Sequence, residues 1–252
     1  MGFKVTKAPD AYGGFAWVYD RALGGRFYET MSGILDDVLE RHAVEPSSHL
    51  DLACGTGLAL HYFAERGHDS IGVDASLPML RMARHRSHRL IAGDLRGLPL
   101  RGTFSAITCL YDSLNHLLEP GELLDVFRSV RSLMSDRSLF LFDVNHPSAY
   151  PRIWGLPEPF IASGSDYELT METSWSRLTR RARARLSGWA DFGGERLAIV
   201  EEHEQRAWSK REITGLLHKA SLAPVEVIGF DPFDEQSAGD RLKMLFVVER
   251  AK

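Results

Sequence analysis

Around position 51 the chain gathers residue types that hold a small polar ligand against backbone. Asp51-Leu52-Ala53-Cys54-Gly55-Thr56-Gly57 follows a short β run and precedes a helical pattern. Gly55 and Gly57 let the main chain turn tightly and admit a ligand, and free amides at the helix N-terminus favour a negative or polar group there. Asp74 ends the next β run, about twenty residues later, from where a carboxylate accepts hydrogen bonds from both hydroxyls of an unphosphorylated ribose. Gly93-Asp94 follows the third run and turns another polar group toward the same crevice. Glycines in a strand-to-helix turn can also merely relieve strain, and a lone G-x-G is weak. Three polar sites in register at successive strand ends are much harder to obtain by accident. A nicotinamide dehydrogenase would share the turn and Asp74, but its third glycine belongs near position 60, which is Leu60.

The segment Leu110-Tyr111-Asp112-Ser113-Leu114-Asn115-His116-Leu117 follows the fourth run, and His116 is its only side chain titrating near neutral pH. It is either a proton acceptor at a reaction site or a residue that caps or packs the helix beginning near Gly121. Tyr111 offers a hydroxyl and a ring face, and Asp112 a charge, to orient a ligand; each reads equally as a satisfied loop residue. Tyr12 and Tyr19 either close over the ligand or pack a helix on the sheet. Glu201 to Arg206 alternates charge along a strand, which reads as a solvated face with cross-strand ion pairs. Arg206 is the better contact for an acceptor carboxylate. Arg177, Arg180, Arg181, Arg183 and Arg185 form a basic cluster that an RNA-directed enzyme would use for phosphate, yet three of them share one face of a period-two strand. Cys54 reads as inert packing. No His, Cys, Asp or Glu cluster has metal-ligand spacing.

The elements that must position these residues alternate regularly. Residues 1–45 read as helical, with Phe27, Met31, Ile34, Leu35, Val38 and Leu39 on one face and Pro46 and Ser47 as the stop. Five β runs follow at 49–53, 70–73, 89–92, 104–110 and 139–143. Helical patterns lie between them at 58–66, 78–86 and 121–134, which predicts a parallel sheet covered on both faces. After Asn145, prolines punctuate a loop. From about Phe160 to Trp208 the pattern has period two, with Gly188, Gly193 and Gly194 as turn candidates, predicting three or four antiparallel strands. Ser209 with Glu212 forms a capping box, and the runs 225–230 and 242–248 read as a terminal hairpin completing the sheet. The expected division is a helical cap (1–45), a ligand-binding α/β domain (46–146 and 209–252) and an inserted β lid (147–208).

Composition sets the broad limits. The 252 residues are 44% hydrophobic and 25% charged, with a formal net charge of −4. That is ordinary globular composition, with no field of one sign to steer the chain to nucleic acid or an anionic membrane. No stretch approaches the roughly 18 consecutive apolar residues of a membrane span. With two unpaired-looking cysteines and no signal-like run at the start, the expectation is a cytoplasmic protein, monomer or homodimer, with a small-molecule partner.

With these residues in place, the chain resembles the S-adenosylmethionine-dependent methyltransferases of the Rossmann-like class, whose D-x-x-C/G-G-x-G signature reads DLACGTG here. The resemblance runs from about Tyr12 to Val248. It implies S-adenosyl-L-methionine as cofactor and S-adenosyl-L-homocysteine as product. It also implies a doubly wound, mostly parallel seven-stranded α/β sheet with a terminal antiparallel hairpin. The implied cofactor contacts are Tyr19, Asp51, Ala53, Gly55, Gly57, Asp74, Ala75, Met79, Asp94, Leu95 and Leu110. The glycine turn would lie on the methionine part, Asp74 on the ribose, and Asp94 with Leu95 at the adenine. The segment after strand four would line the methyl-transfer site, with His116 and Tyr111 as catalytic candidates. Tyr12, Tyr19-Asp20, the SLNHL stretch and Glu201 to Arg206 look like small-molecule N- and O-methyltransferases, whose N-terminal helices and inserted strands form a lid over the acceptor. A cofactor-binding protein without transferase activity is the rival reading.

Overall fold

The computed structural model describes residues 14–45, 47–192, 195–232 and 241–251. Tyr12, Pro46, Gly193 and Gly194 therefore lie outside the described residues. The N-terminal segment runs as α1 (Phe15–Tyr19), a π-helical turn over Asp20–Gly24, and α2 (Gly25–Arg41). α2 stops before the proline expected to end it. Ala43, at φ +49°, donates its N–H to Glu40 O and Val44 donates to Leu39 O, which satisfies the last carbonyls with alanine where glycine is usual.

The α/β part follows as β1 (Ser48–Leu52), α3 (Leu58–Glu65), β2 (Asp69–Asp74), α4 (Leu77–Ala83), β3 (Leu90–Ala92), β4 (Phe104–Cys109), α5 (Pro120–Ser132) and β5 (Met134–Asn145). Four strands are then inserted: β6 (Phe160–Ser163), β7 (Tyr167–Ser176), β8 (Arg181–Phe192) and β9 (Glu195–Arg206). The chain ends with α6 (Lys210–Lys219), β10 (Leu222–Phe230) and β11 (Lys243–Arg250). The main sheet has the order β10-β11-β5-β4-β1-β2-β3, with only the terminal hairpin antiparallel, and the second sheet runs β6-β7-β8-β9. The doubly wound expectation holds.

β5 begins five residues earlier than the 139–143 run suggested, taking Met134 from the end of the predicted helix. A register shift absorbs the polar stretch between them, where Ser138 Oγ accepts the Ser135 N–H and donates to Phe104 O. The proline-punctuated loop also holds a helical turn, Tyr150–Trp154, whose fully buried Tyr150 stacks on Trp175 at 4.9 Å.

Period two sorts the sheet's side chains onto two cores. One face carries Leu50, Leu52, Ile107, Phe140, Phe142 and Phe246 against Leu123, Phe127 and Val130 of α5 and Ile213 and Leu217 of α6. The other carries Ala106, Leu139, Leu141, Leu245 and Val247 against Phe27, Met31, Leu35 and Val38 of α2 and Tyr62 and Phe63 of α3. Each large side chain so buried contributes about 1.5–3 kcal/mol. On this second face the strands turn polar where the α2 and α3 cover ends: Asp51, Asp143, Asn145 and Lys243 are all buried there. Among the described residues no helix is long and apolar enough to cross a membrane.

Candidate active site

The glycine turn is made as its sequence demands. Ala53, Gly55 and Gly57 have φ of +52°, +54° and +87°, and Gly57 is the N-cap of α3. A Cβ on Gly55 would meet nothing within 4 Å, so open space lies before the turn. Asp74, at the end of β2, accepts the Gly55 N–H at 2.8 Å and the Ser76 N–H at 2.7 Å, one on each oxygen. A carboxylate has about four acceptor positions, so each oxygen keeps one for a ribose hydroxyl. Burial raises the Asp74 pKa despite these two bonds. Ala75 is exposed beside it, and buried Met79 donates its N–H to the Ser76 cap of α4. These features fit S-adenosylmethionine.

Where a dinucleotide fold puts its third glycine on the helix, Leu60 packs into the space left by Gly72 on β2. A Cβ at Gly72 would lie 2.7 Å from Leu60 Cδ1 and 2.7 Å from Cys54 Sγ. The close approach of helix and strand is thus kept, with the small residue moved to the strand. Burial raises the Cys54 thiol pKa, in line with inert packing.

Asp51 is buried, and burial pushes its pKa up to about 7 although the Thr108 hydroxyl donates to it at 2.6 Å. Thr108 is in turn 2.9 Å from His49 Nε2, and His49 Nδ1 is 3.0 Å from Ser70 Oγ. With the Thr108 proton committed to Asp51, Nε2 carries the imidazole proton and Ser70 donates to Nδ1. Asp94 is half exposed and ion-paired with Arg96 at 2.5 Å, capping the turn at Leu95. Leu110 is buried in the α2-side core.

The N-terminal segment closes over the turn by a contact that periodicity did not reveal. Asp20 accepts the Thr56 hydroxyl at 2.5 Å and Arg86 at 2.7 Å, and Arg86 also donates to Thr56 O at 3.0 Å. Tyr19 packs edge-on against Phe15 at 5.7 Å, at the apolar cluster of the second sheet.

Tyr111 and Asp112 are both left-handed, at φ +62° and +50°, a strained pair directly after β4. The Tyr111 ring packs on Phe27 at 4.4 Å, and burial raises its pKa well above the usual range. Lys243 holds Asp112 at 2.5 Å and Asp143 at 2.9 Å. Burial raises the Asp112 pKa, but the Lys243 ammonium outweighs it and the carboxyl ends below its ordinary value. Asp143 ends above its own, because burial dominates there.

The N-cap of α5 is Glu119, not His116. His116 Nδ1 is 3.1 Å from Glu204 O and its Nε2 is 3.3 Å from Gln205 Nε2, so it joins the core loop to β9. Burial lowers its pKa, with Asp112 pulling the other way. The His203 ring lies 6.1 Å away and is hydrogen-bonded to Glu201 at 3.1 Å.

This corrects the picture of Glu201 to Arg206 as a solvated face. The pairing of β9 with β8 sets Glu201, His203 and Gln205 opposite Leu186, Ala184 and Ala182, which are buried, so these three point inward. Only Glu202 and Glu204 pair outward, with Arg183, Arg185 and Arg181. The Arg206 guanidinium, offered above to an acceptor carboxylate, is instead committed to Leu118 O at 2.9 Å, Glu212 at 3.3 Å and the Trp208 ring at 4.1 Å.

Lys243, Asp143 and Asn145 were not among the sequence candidates, and Glu201, His203 and Gln205 were noted there only within a strand read as a solvated face. A signal existed for two of them, since Asp143 and Lys243 are the single charges in the apolar runs 139–143 and 242–248.

Comparisons with known proteins agree with this geometry. A family model described as "Methyltransferase domain" matches residues 50–136. The relative YqeM of Bacillus subtilis (strain 168) is 31% identical over 96% of this chain and 98% of its own. A dTDP-3-amino-3,6-dideoxy-alpha-D-glucopyranose N,N-dimethyltransferase of Streptomyces fradiae is 36% identical over 39% of this chain and 40% of its own. An S-adenosylmethionine-dependent methyltransferase from Clostridium acetobutylicum ATCC 824 shares the fold at a TM-score of 0.80 and 21% identity, covering 94% of this chain and 98% of that one. The chain is a member of the class I, Rossmann-like S-adenosylmethionine-dependent methyltransferases.

Proposed function

We propose that this methyltransferase transfers a methyl group to the nitrogen of a small polar amine, such as an amine borne on a sugar. The observation that carries the reading is the acid–base lining of the acceptor end: Asp112 and His116 from the core loop face Glu201, His203 and Gln205 from β9. Carboxylates and imidazoles suit an acceptor that arrives as an ammonium and must lose a proton before its lone pair can attack. The bound cofactor supplies an electrophilic methyl on a sulfonium. Gly55 and Gly57 would admit its methionine part, with Asp51 near the amino group. Asp74, with Ala75 and Met79 beside it, would hold the ribose, and Asp94 and Leu95 would flank the adenine. Leu110 would line the methyl side, and Tyr19 would cover it.

The chain's own task is to place the acceptor in line, exclude water and take the proton. His116 Nε2, 3.3 Å from Gln205 Nε2, would accept that proton once an acceptor N–H takes Gln205's place. Tyr111 would form the wall opposite. The named activity of the Streptomyces fradiae relative supports nitrogen over oxygen. An RNA acceptor is disfavoured because Arg180, Arg181, Arg183 and Arg185 are all paired with Glu119, Glu202, Glu204 or Glu212.

The test is calorimetry with S-adenosylmethionine and S-adenosylhomocysteine, with NAD as control, followed by a screen of amines, alcohols and carboxylates for methyl transfer. Binding of both cofactor forms with turnover confined to amines is the expected outcome. Turnover confined to alcohols would overturn the nitrogen assignment, and tight binding with no acceptor across the pool would favour a cofactor-binding protein without transferase activity.

A further inference from the structure

Lys243 is the only buried lysine or arginine among the described residues. Its Nζ donates to Asp112 Oδ1 at 2.5 Å and Asp143 Oδ2 at 2.9 Å and lies 4.7 Å from the centre of the Phe27 ring. The same Asp143 oxygen accepts the Asp112 N–H at 3.0 Å, so this ion cluster pins a left-handed residue by its side chain and its backbone together.

The consequence runs outward to the second sheet. Asp112 Oδ2 faces Gln205 Nε2 at 2.6 Å. A carboxylate kept ionised by Lys243 can only accept, so Gln205 must turn its NH2 toward it. The other end agrees, because Gln205 Oε1 faces two donors, Asn145 Nδ2 at 3.0 Å and the Tyr150 hydroxyl at 3.2 Å. The second N–H of the same amide then points to His116 Nε2, 3.3 Å away, while His116 Nδ1–H donates to Glu204 O at 3.1 Å. Each link leaves the next only one orientation.

We propose that Lys243 is a positioning residue for methyl transfer: through Asp112 and Gln205 it holds His116 with the Nε2 lone pair turned to the acceptor side. The inference rests on the reading of His116 as an acceptor-side group. Among the described residues, the groups facing His116 include Asp112 on its own loop, Lys243 on β11, and Gln205, the Glu204 carbonyl and His203 with Glu201 behind it on β9. In this setting the Lys243 cation and the Gln205 N–H both favour the neutral imidazole.

The test needs no acceptor. His116 is titrated by NMR in the ligand-free protein, its signal assigned by its loss in H116Q. K243M removes the cation and frees the Gln205 amide to turn, so the His116 pKa should rise by about half a unit or more. K243R, which keeps the charge, should stay within about 0.2 of the unmodified protein. Q205M breaks the middle link with the ions untouched and should also raise it.

A folded K243M that titrates like the unmodified protein overturns the inference, as does a shift in Q205M alone. If K243M does not fold, K243Q, which keeps hydrogen bonds without the charge, carries the same expectation. If neither neutral variant folds, Lys243 is a stability element and the inference fails. Full turnover in H116Q would instead break the reading of the site, while the titration still decides the relay.

Discussion

The proposed cofactor end and the proposed acceptor end lie at different strand ends of one sheet, the first after β1, β2 and β3 and the second around β4, β5 and β11, and they are built on different principles. The cofactor end is local: the turn, Asp74 and Asp94 fall within 44 consecutive residues, 51–94, and much of it is backbone. The proposed acceptor end would join Phe27, Tyr111, Asp112, His116, Asp143, Gln205 and Lys243, the last 131 residues from its partner Asp112. A site made of backbone amides and three carboxylates, Asp51, Asp74 and Asp94, all close in sequence, can be kept across many substrates. One made of side chains from the N-terminal helices, the inserted sheet and the terminal hairpin can be changed without disturbing the first.

That contrast can be broken or sharpened by experiment. The largest expected effect is at the acceptor end: H116Q should lower turnover of an amine found in the screen by about a hundredfold, while S-adenosylhomocysteine affinity stays within about twofold. Loss of both together would show that the two ends are not separable. At the cofactor end, D74A removes the acceptor of two ribose hydroxyls, and calorimetry should show affinity falling by ten- to a hundredfold, about 1.5–3 kcal/mol. Unchanged affinity would sink the ribose assignment.

Smaller and graded is the pH response. Burial holds Asp51 at a pKa of about 7, so its carboxylate forms as pH rises through that value. An ammonium ligand binds the ionised form, and S-adenosylmethionine affinity should therefore increase from pH 6 to pH 8, by at most about tenfold per unit. T108V removes the hydroxyl that favours the carboxylate and should move this rise to higher pH. A flat profile in both proteins would take Asp51 out of contact with the cofactor amino group.

The smallest effect belongs to neither end. Ala43→Gly relieves a left-handed alanine at the end of α2 and should stabilise the fold by about 0.5–1 kcal/mol. Thermal unfolding would record it as a modest rise in Tm, with cofactor affinity unchanged. A fall in Tm would mean that Ala43 is not strained.

The sequence by itself determined the order of strands and helices, the glycine turn, Asp74 and the Ser209–Glu212 capping box, because each depends on residues a few positions apart. Periodicity, turn chemistry and capping act along the chain, and the structure reproduces them. It also brought Tyr111 and His116 to attention through the loop after β4, with both a chemical and a packing role left open.

Only the tertiary structure decided which charges face inward. Glu201, His203 and Gln205 alternate with Glu202 and Glu204, and period two alone cannot say which set is buried. The choice is made by the pairing of β9 against Ala182, Ala184 and Leu186 of β8. Asp143 and Lys243 were visible as single charges in the apolar runs 139–143 and 242–248, but each is tolerated there only because the other, with Asp112, is within hydrogen-bonding distance. A partner distant in sequence leaves no local signature, so the acceptor end became legible only when the terminal hairpin and the inserted sheet closed around the loop after β4.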